Sequence, residues 1–148
     1  MLQLTKIFHF EMAHAIPGYP GSCKNIHGHS YELHVTVTSV GSNNGYLSAP
    51  GFIIDFKAIK AIVKNTVIAY FDHKLVLSHD FLAEHPSFST QENLLIWKWE
   101  PTAENILIFM KDKLSEHFNE QIKLAHLKLY ETKDSYAEWI NDNKLTGK

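Results

Sequence analysis

Hydrophobic and polar residues alternate along two segments in the first third of the chain. In residues 4–13 the apolar side chains of Phe8 and Phe10 fall on one face, and residues 29–38 alternate without interruption. A period of two is typical of a β-strand that buries one of its faces. The sequence therefore predicts two strands here, joined by residues 14–28, a loop rich in proline and glycine.

Apolar residues take a different spacing further along, recurring three and four positions apart over residues 56–70 and 103–117. That spacing predicts two amphipathic helices. Asp55 and Thr102 directly precede them. Both residue types are favoured as N-caps, because their side-chain oxygens accept hydrogen bonds from the free N–H groups of the first turn. We therefore expect each helix to begin directly after its cap.

The last quarter of the chain predicts two further strands, over residues 122–132 and 136–140. Between the helices, residues 78–100 are interpreted as a surface excursion with a short strand near residues 94–99, and residues 41–45 as a turn. The order strand, strand, helix, helix, strand, strand (ββααββ) favours an α+β fold. In this fold a four-stranded antiparallel sheet is covered by two helices on one face.

The composition is that of an ordinary globular protein. The chain has 148 residues, of which 45% are hydrophobic and 20% charged, and this suits a single domain over residues 1–148. A formal net charge of −2 gives no indication of nucleic-acid binding, and no apolar run is long enough to cross a membrane. The lone cysteine cannot form an internal disulfide, which favours a reducing cytoplasm as the location.

The segment from Cys23 to His29 concentrates metal-binding side chains. His27 and His29 are two residues apart, so on an extended backbone both imidazoles leave the same face, and His14 lies upstream at the end of the first predicted strand. Three histidine ligands leave the fourth tetrahedral position open, as in catalytic zinc sites. The alternative is that these are ordinary surface or core histidines.

Cys23 would lie in an electropositive loop if His27 binds a dication, and that setting favours a thiolate that acts as nucleophile or general base. Cys23 is alternatively a fourth metal ligand, which would close the site, or an inert buried thiol. Asp72 and His73 form an acid–imidazole pair directly after the first helix. Such a pair can move protons, although a solvated helix end is the alternative.

Glu131 falls on the same face of its predicted strand as Leu127 and Leu129. A carboxylate among apolar residues is costly unless it has a partner. The paired N–H donors of a guanidine-like ligand edge would meet its two oxygens. A strand-end glutamate that turns to solvent is the alternative.

These motifs together resemble the 6-pyruvoyl-tetrahydropterin synthase and 6-carboxytetrahydropterin synthase family. The ordered set is specific and covers almost the whole chain. The matching segments are Phe10-Glu11-Met12-Ala13-His14, Cys23-Lys24-Asn25-Ile26-His27-Gly28-His29-Ser30-Tyr31, Gly51-Phe52-Ile53-Ile54-Asp55-Phe56, Phe71-Asp72-His73-Lys74-Leu75, Pro101-Thr102-Ala103-Glu104-Asn105 and Tyr130-Glu131-Thr132.

The resemblance implies an assembly and a cofactor. Members of this family have the tunnelling fold, in which three chains close their sheets into one barrel and two trimers stack. We therefore expect a homo-oligomer, a hexamer built as a dimer of trimers. The resemblance also implies that Zn2+ is bound by His14, His27 and His29.

The resemblance assigns catalytic roles as well. Cys23 would be the proton acceptor, and Asp72 and His73 would complete a catalytic triad by reaching Cys23 across a subunit interface. Glu131 belongs to the same catalytic set.

The substrate implied by the resemblance is 7,8-dihydroneopterin triphosphate. Glu131 would anchor the amino-pyrimidine edge of this pterin, helped by Thr102 and Glu104. All fourteen basic residues are lysines, so the triphosphate would be held without arginine, with Lys24 and Lys74 as candidates.

Our first functional expectation is formation of 6-carboxy-5,6,7,8-tetrahydropterin with release of acetaldehyde and triphosphate, a step that feeds 7-deazaguanine (queuosine-type) biosynthesis. The alternative within the family is a 6-pyruvoyl-tetrahydropterin synthase, which releases triphosphate only. An alternative of another class is a non-catalytic zinc- or pterin-binding protein on the same scaffold. The presence of Cys23, Asp72 and His73 together argues against this last option, because binding alone does not need them.

Overall fold

Six strands form one sheet in the computed structural model, which describes residues 1–41, 45–118 and 120–142. Residues 42–44 of the predicted turn therefore lie outside the described residues. The strands are β1 (Gln3–His14), β2 (His27–Ser39), β3 (Lys74–Ser78), β4 (Leu94–Trp97), β5 (Ile122–Thr132) and β6 (Ser135–Ile140). Across the sheet they follow the order β4-β3-β1-β2-β5-β6.

The central strands β1 and β2 run antiparallel, with Phe10 opposite Tyr31 and His14 opposite His27. Alternate residues on both strands are buried, as their sequence pattern predicts. Phe10, Tyr31 and Leu33 form part of the core between the sheet and the helices. Since the histidines continue the parity of these core residues, they lie on the same face at the end of the strands.

The two predicted helices are present and begin where their caps predict. The helical elements are α1 (Phe56–Val63), which continues through a π-helical turn (Lys64–Ile68) into α2 (Ala69–Phe71), then α3 (His79–Glu84) and α4 (Ala103–Ser115), with 3-10 turns at Ser22–Lys24 and Pro86–Thr90. The Asp55 side chain accepts a hydrogen bond from the Lys57 N–H at 2.8 Å. Thr102 accepts one from the Asn105 N–H at 3.2 Å.

The prediction of a four-stranded, wholly antiparallel sheet is wrong at one edge. Strand β3 pairs in parallel with the last three residues of β1, Met12–His14, and β4 pairs in parallel with β3. The sequence does not predict β3 by alternation, because Leu75–Ser78 is buried at every position. Such a continuous run is typical of a parallel strand that is covered on both faces.

Residues 78–100 are consequently more than a surface excursion. Phe81 of α3 packs with Leu75 and Leu77 of β3 in a small second core. This packing fixes the position of β3, and with it the Asp72-His73 junction that precedes the strand. Within the described residues, no helix is long and apolar enough to span a membrane.

Candidate active site

The register of β1 and β2 brings three histidines together at one end of the sheet. One potential ligand atom from each of His14, His27 and His29 lies within 4.8 Å of the others. The Nε2 atoms of His14 and His27 are 3.0 Å apart. The predicted metal-ligand set is therefore gathered in space, and strand pairing is sufficient to gather it.

Backbone carbonyls fix the tautomers of two of these rings. The Nδ1–H of His14 donates to the Pro101 carbonyl at 2.6 Å, and the Nδ1–H of His27 donates to the Asn25 carbonyl at 2.8 Å. Each ring then presents an unprotonated Nε2 lone pair toward the other. Two lone pairs at this distance repel unless a cation lies near both, so the donor arrangement fits a metal ion.

Burial favours the neutral, metal-binding form of His14 and His29. The pKa of His14 is lowered by burial, against the raising effects of the Pro101 carbonyl and Glu131. The pKa of His29 is likewise lowered by burial, against the raising effect of Glu131. The Nε2 atom of His29 is buried without a hydrogen-bond partner among the described residues. A set of three imidazole nitrogen donors suits Zn2+.

Glu131 lies beside the histidines rather than turning to solvent at the strand end. Its Oε1 is 3.5 Å from His29 Nε2, and its Oε2 is 3.9 Å from His14 Nε2. The side chain is 28% exposed, so part of the carboxylate remains open to a ligand. A cation held by these nitrogens, or a ligand that carries N–H donors, would offset the cost of placing a carboxylate on this face.

A cavity of about 550 Å³ opens next to Glu131. It lies between the start of α4, the loop after β1, and strand β6. Thr102, Glu104 and Glu131, the three residues predicted to contact the substrate, all line it, together with Tyr19 and Tyr136. Its charged side chains are all carboxylates, which suits a ligand edge rich in N–H donors and does not suit a phosphate.

Cys23 lies in the 3-10 turn just before β2 and is half-buried. Its carbonyl accepts a hydrogen bond from the Ile16 N–H at 2.9 Å, which ties the two ends of the loop together. The thiol is not among the gathered ligand atoms of the described residues. The geometry therefore argues against the alternative in which Cys23 is a fourth metal ligand.

Asp72 and His73 occupy the junction between α2 and β3. The Asp72 carboxylate is 3.0 Å from His73 Nδ1 and also accepts a hydrogen bond from the Glu11 N–H at 2.9 Å. His73 has a φ of 60°, and its N–H donates to the Glu11 carbonyl at 2.7 Å. A non-glycine residue held at positive φ is costly and is found more often at functional sites. The pair is therefore a fixed element, not a frayed helix end.

His73 of the acid–imidazole pair lines a different cavity from the carboxylates of Glu104 and Glu131. This second cavity, of about 410 Å³, is lined by His73, Lys74 and Asn93 together with the ends of β1 and β2. The His73 side chain is 79% exposed. Within the described residues of one chain, His14 and His29 thus lie beside Glu131, which lines the first cavity, whereas His73 lines the second cavity together with His29.

Tyr31 is a core residue whose ring lies beside the histidine cluster. It is fully buried, and its hydroxyl has no hydrogen-bond partner among the described residues. Its ring centroid lies 5.6 Å from that of His29, and burial raises the pKa of its hydroxyl. The sequence indicates this proximity, because Tyr31 follows His29 by two residues in an alternating strand and so lies on the same face.

Comparison with known proteins gives a consistent result. A family model described as 6-pyruvoyl tetrahydropterin synthase matches residues 3–141. The chain is 32% identical over 145 residues to a 6-carboxy-5,6,7,8-tetrahydropterin synthase of Haemophilus influenzae, covering 94% of this chain and 99% of the relative. It is 30% identical over 142 residues to a protein of the same name from Rickettsia typhi, covering 93% and 99%.

Solved structures share the fold at lower identity. An uncharacterised protein from Wolinella succinogenes has a TM-score of 0.71 at 18% identity, covering 95% of this chain and 98% of that one. The 6-pyruvoyl tetrahydropterin synthase of Caenorhabditis elegans has a TM-score of 0.64 at 21% identity, covering 95% of each chain. At these identities the likeness concerns the fold.

Proposed function

Because the chain belongs to the 6-pyruvoyl tetrahydropterin synthase family, we propose that it converts 7,8-dihydroneopterin triphosphate to 6-carboxy-5,6,7,8-tetrahydropterin, releasing acetaldehyde and triphosphate. The observation that carries the proposal is the gathered set of His14, His27 and His29 beside a cavity lined by carboxylates. The relatives that carry the 6-carboxy name match almost the full chain. In this reading the product enters 7-deazaguanine biosynthesis.

Zn2+ is the proposed resident metal, held by His14, His27 and His29. When bound, it would stabilise negative charge on oxygens of the substrate side chain. Cys23 would take protons from carbon atoms of that side chain. His73 would exchange protons with the same region, and Asp72 would hold its imidazole in one tautomer.

We propose a hexamer in which the Asp72-His73 pair of one chain serves the Cys23 site of another. The high exposure of His73 supports this, because a catalytic imidazole gains nothing from solvation. The position of β6 also supports it. This strand is an edge of the sheet and lines the carboxylate cavity, so a chain that packs against that edge would cover the cavity.

A product assay separates the alternatives. Zinc-loaded protein is incubated with 7,8-dihydroneopterin triphosphate and an acetaldehyde trap, and the products are identified by mass spectrometry. We expect 6-carboxytetrahydropterin and trapped acetaldehyde in equal amounts. A pyruvoyl product without acetaldehyde would replace the proposal with the activity named for the Caenorhabditis elegans neighbour. No turnover at all would favour the non-catalytic binding protein.

Glu131 is proposed to hold the amino-pyrimidine edge of the pterin. Replacing it with glutamine keeps the shape but removes the charge-assisted hydrogen bonds, so we expect affinity for 7,8-dihydroneopterin to fall by about 1.5–3 kcal/mol, or roughly 10- to 150-fold in Kd. Glu104→Gln is the matched variant in the same cavity. Loss of affinity in Glu104→Gln alone, with Glu131→Gln losing only turnover, would contradict this assignment and move the anchor to Glu104.

A further inference from the structure

A large aromatic side chain lies at the carboxylate cavity without an assigned role. Tyr19, in the loop between β1 and β2, is 53% exposed and lines this cavity with Glu104 and Glu131. Tyr136 lies on the β6 side of the cavity, but its ring already contacts Tyr130, at 4.7 Å between centroids. Lys128 Nζ also lies 4.6 Å from the centroid of the Tyr136 ring. Since no such ring or cation contact involves Tyr19 among the described residues, Tyr19 is the more available of the two rings.

The ring of Tyr19 has a defined position against Gly21. A Cβ added at Gly21 would lie 2.7 Å from Cε1 and 3.3 Å from Cδ1 of Tyr19. Gly21 has φ −96° and ψ −171°, a conformation that any residue adopts. The backbone consequently does not require glycine at this position. A side chain at this position would instead force the tyrosine ring to move.

From these contacts we propose that Tyr19 is a binding residue for the planar bicycle of the pterin, presenting its ring to one face of the ligand. This inference rests on the proposed function. The carboxylates of the cavity can satisfy the N–H donors on the edge of a pterin, but they leave its two π-faces without a partner. A tyrosine ring supplies a large contact area at low entropic cost, because only two side-chain torsions must be fixed.

The test measures binding of 7,8-dihydroneopterin, the substrate without its triphosphate, to zinc-loaded protein by ligand fluorescence. Stacking on an aromatic side chain contributes enough that Tyr19→Ala should raise Kd about 10- to 100-fold, whereas Tyr19→Phe should stay within about twofold. Gly21→Ala keeps Tyr19 but pushes its ring from its position, so it should also raise Kd. Tyr46→Ala, at an exposed tyrosine that lines another cavity, is the matched control and should not change Kd.

The outcomes distinguish the inference from the function on which it rests. Wild-type protein that does not bind the pterin would overturn the proposed function and this inference with it. Wild-type binding with unchanged affinity in Tyr19→Ala would overturn the inference alone. Circular dichroism and zinc content show whether Tyr19→Ala is folded. If it is not, the affinities of Gly21→Ala and Tyr19→Phe are compared instead. Equal affinity of these two variants for the pterin would contradict the proposed role of Tyr19.

Discussion

Cys23→Ala is expected to lower turnover by about 10²- to 10⁴-fold while zinc content and pterin affinity stay near those of the wild type. The reason is that the thiol lies in the turn just before β2, outside the gathered set of imidazole nitrogens. Removing it takes away a proton acceptor without opening the metal site. Turnover, bound zinc and the Kd for 7,8-dihydroneopterin are measured on the same preparation.

Cys23→Ser is the matched control for volume, because a hydroxyl fills the place of the thiol but is a far weaker base. It should be nearly as inactive as the alanine variant. Loss of zinc from both variants would contradict the role and make Cys23 a metal ligand. Full turnover in both would leave it as an inert, half-buried thiol.

Mixing two inactive variants tests whether one site draws on two chains. If Cys23 and His73 of a site come from different subunits, Cys23→Ala and His73→Ala chains that are denatured and refolded together form some sites with both residues intact. Random assembly in equal amounts would restore about a quarter of wild-type turnover. Mixtures that stay as inactive as the separate variants would contradict a shared site.

The parts of the fold and the site that sequence predicts are those governed by local periodicity. Alternation placed Phe10 in the core, and the same parity carried His27 and His29 to one face of β2. The cap residues Asp55 and Thr102 fixed where two helices begin. Each of these depends on residues within a few positions of one another, so a single sequence contains the information.

The remaining parts depend on contacts between distant segments. The Pro101 carbonyl that orients His14 is 87 residues away along the chain. The proximity of Glu131 to His29 follows from the pairing of β5 with β2, which alternation alone does not specify. Strand β3 was missed because a strand buried on both faces has no alternation to detect.

Removing one metal ligand is the most severe change that we expect at this site. His27→Ala should lose bound zinc, and turnover should fall by more than about 100-fold. Loss of a residue that only orients a metal ligand costs up to about 100-fold, and loss of the ligand itself should cost more. His27 is chosen because its Nε2 faces that of His14 at 3.0 Å while its own Nδ1 is held by the Asn25 carbonyl. The variant removes one of the two facing lone pairs. Only His14 and His29 would then remain as protein ligands, which is too few for a stable zinc site.

The fold should survive this change, because His27 lies at the end of β2 and is not part of the hydrophobic core. His9→Ala is the matched control, since its side chain is 69% exposed on β1 and it lies outside the metal-ligand set. Zinc is measured by elemental analysis, and wild-type protein stripped by a chelator should lose turnover and regain it on adding Zn2+. His27→Ala that retains one zinc per chain would contradict the ligand assignment. A chelated wild-type protein that keeps full turnover would contradict the need for metal, because the three histidines would then serve the fold alone.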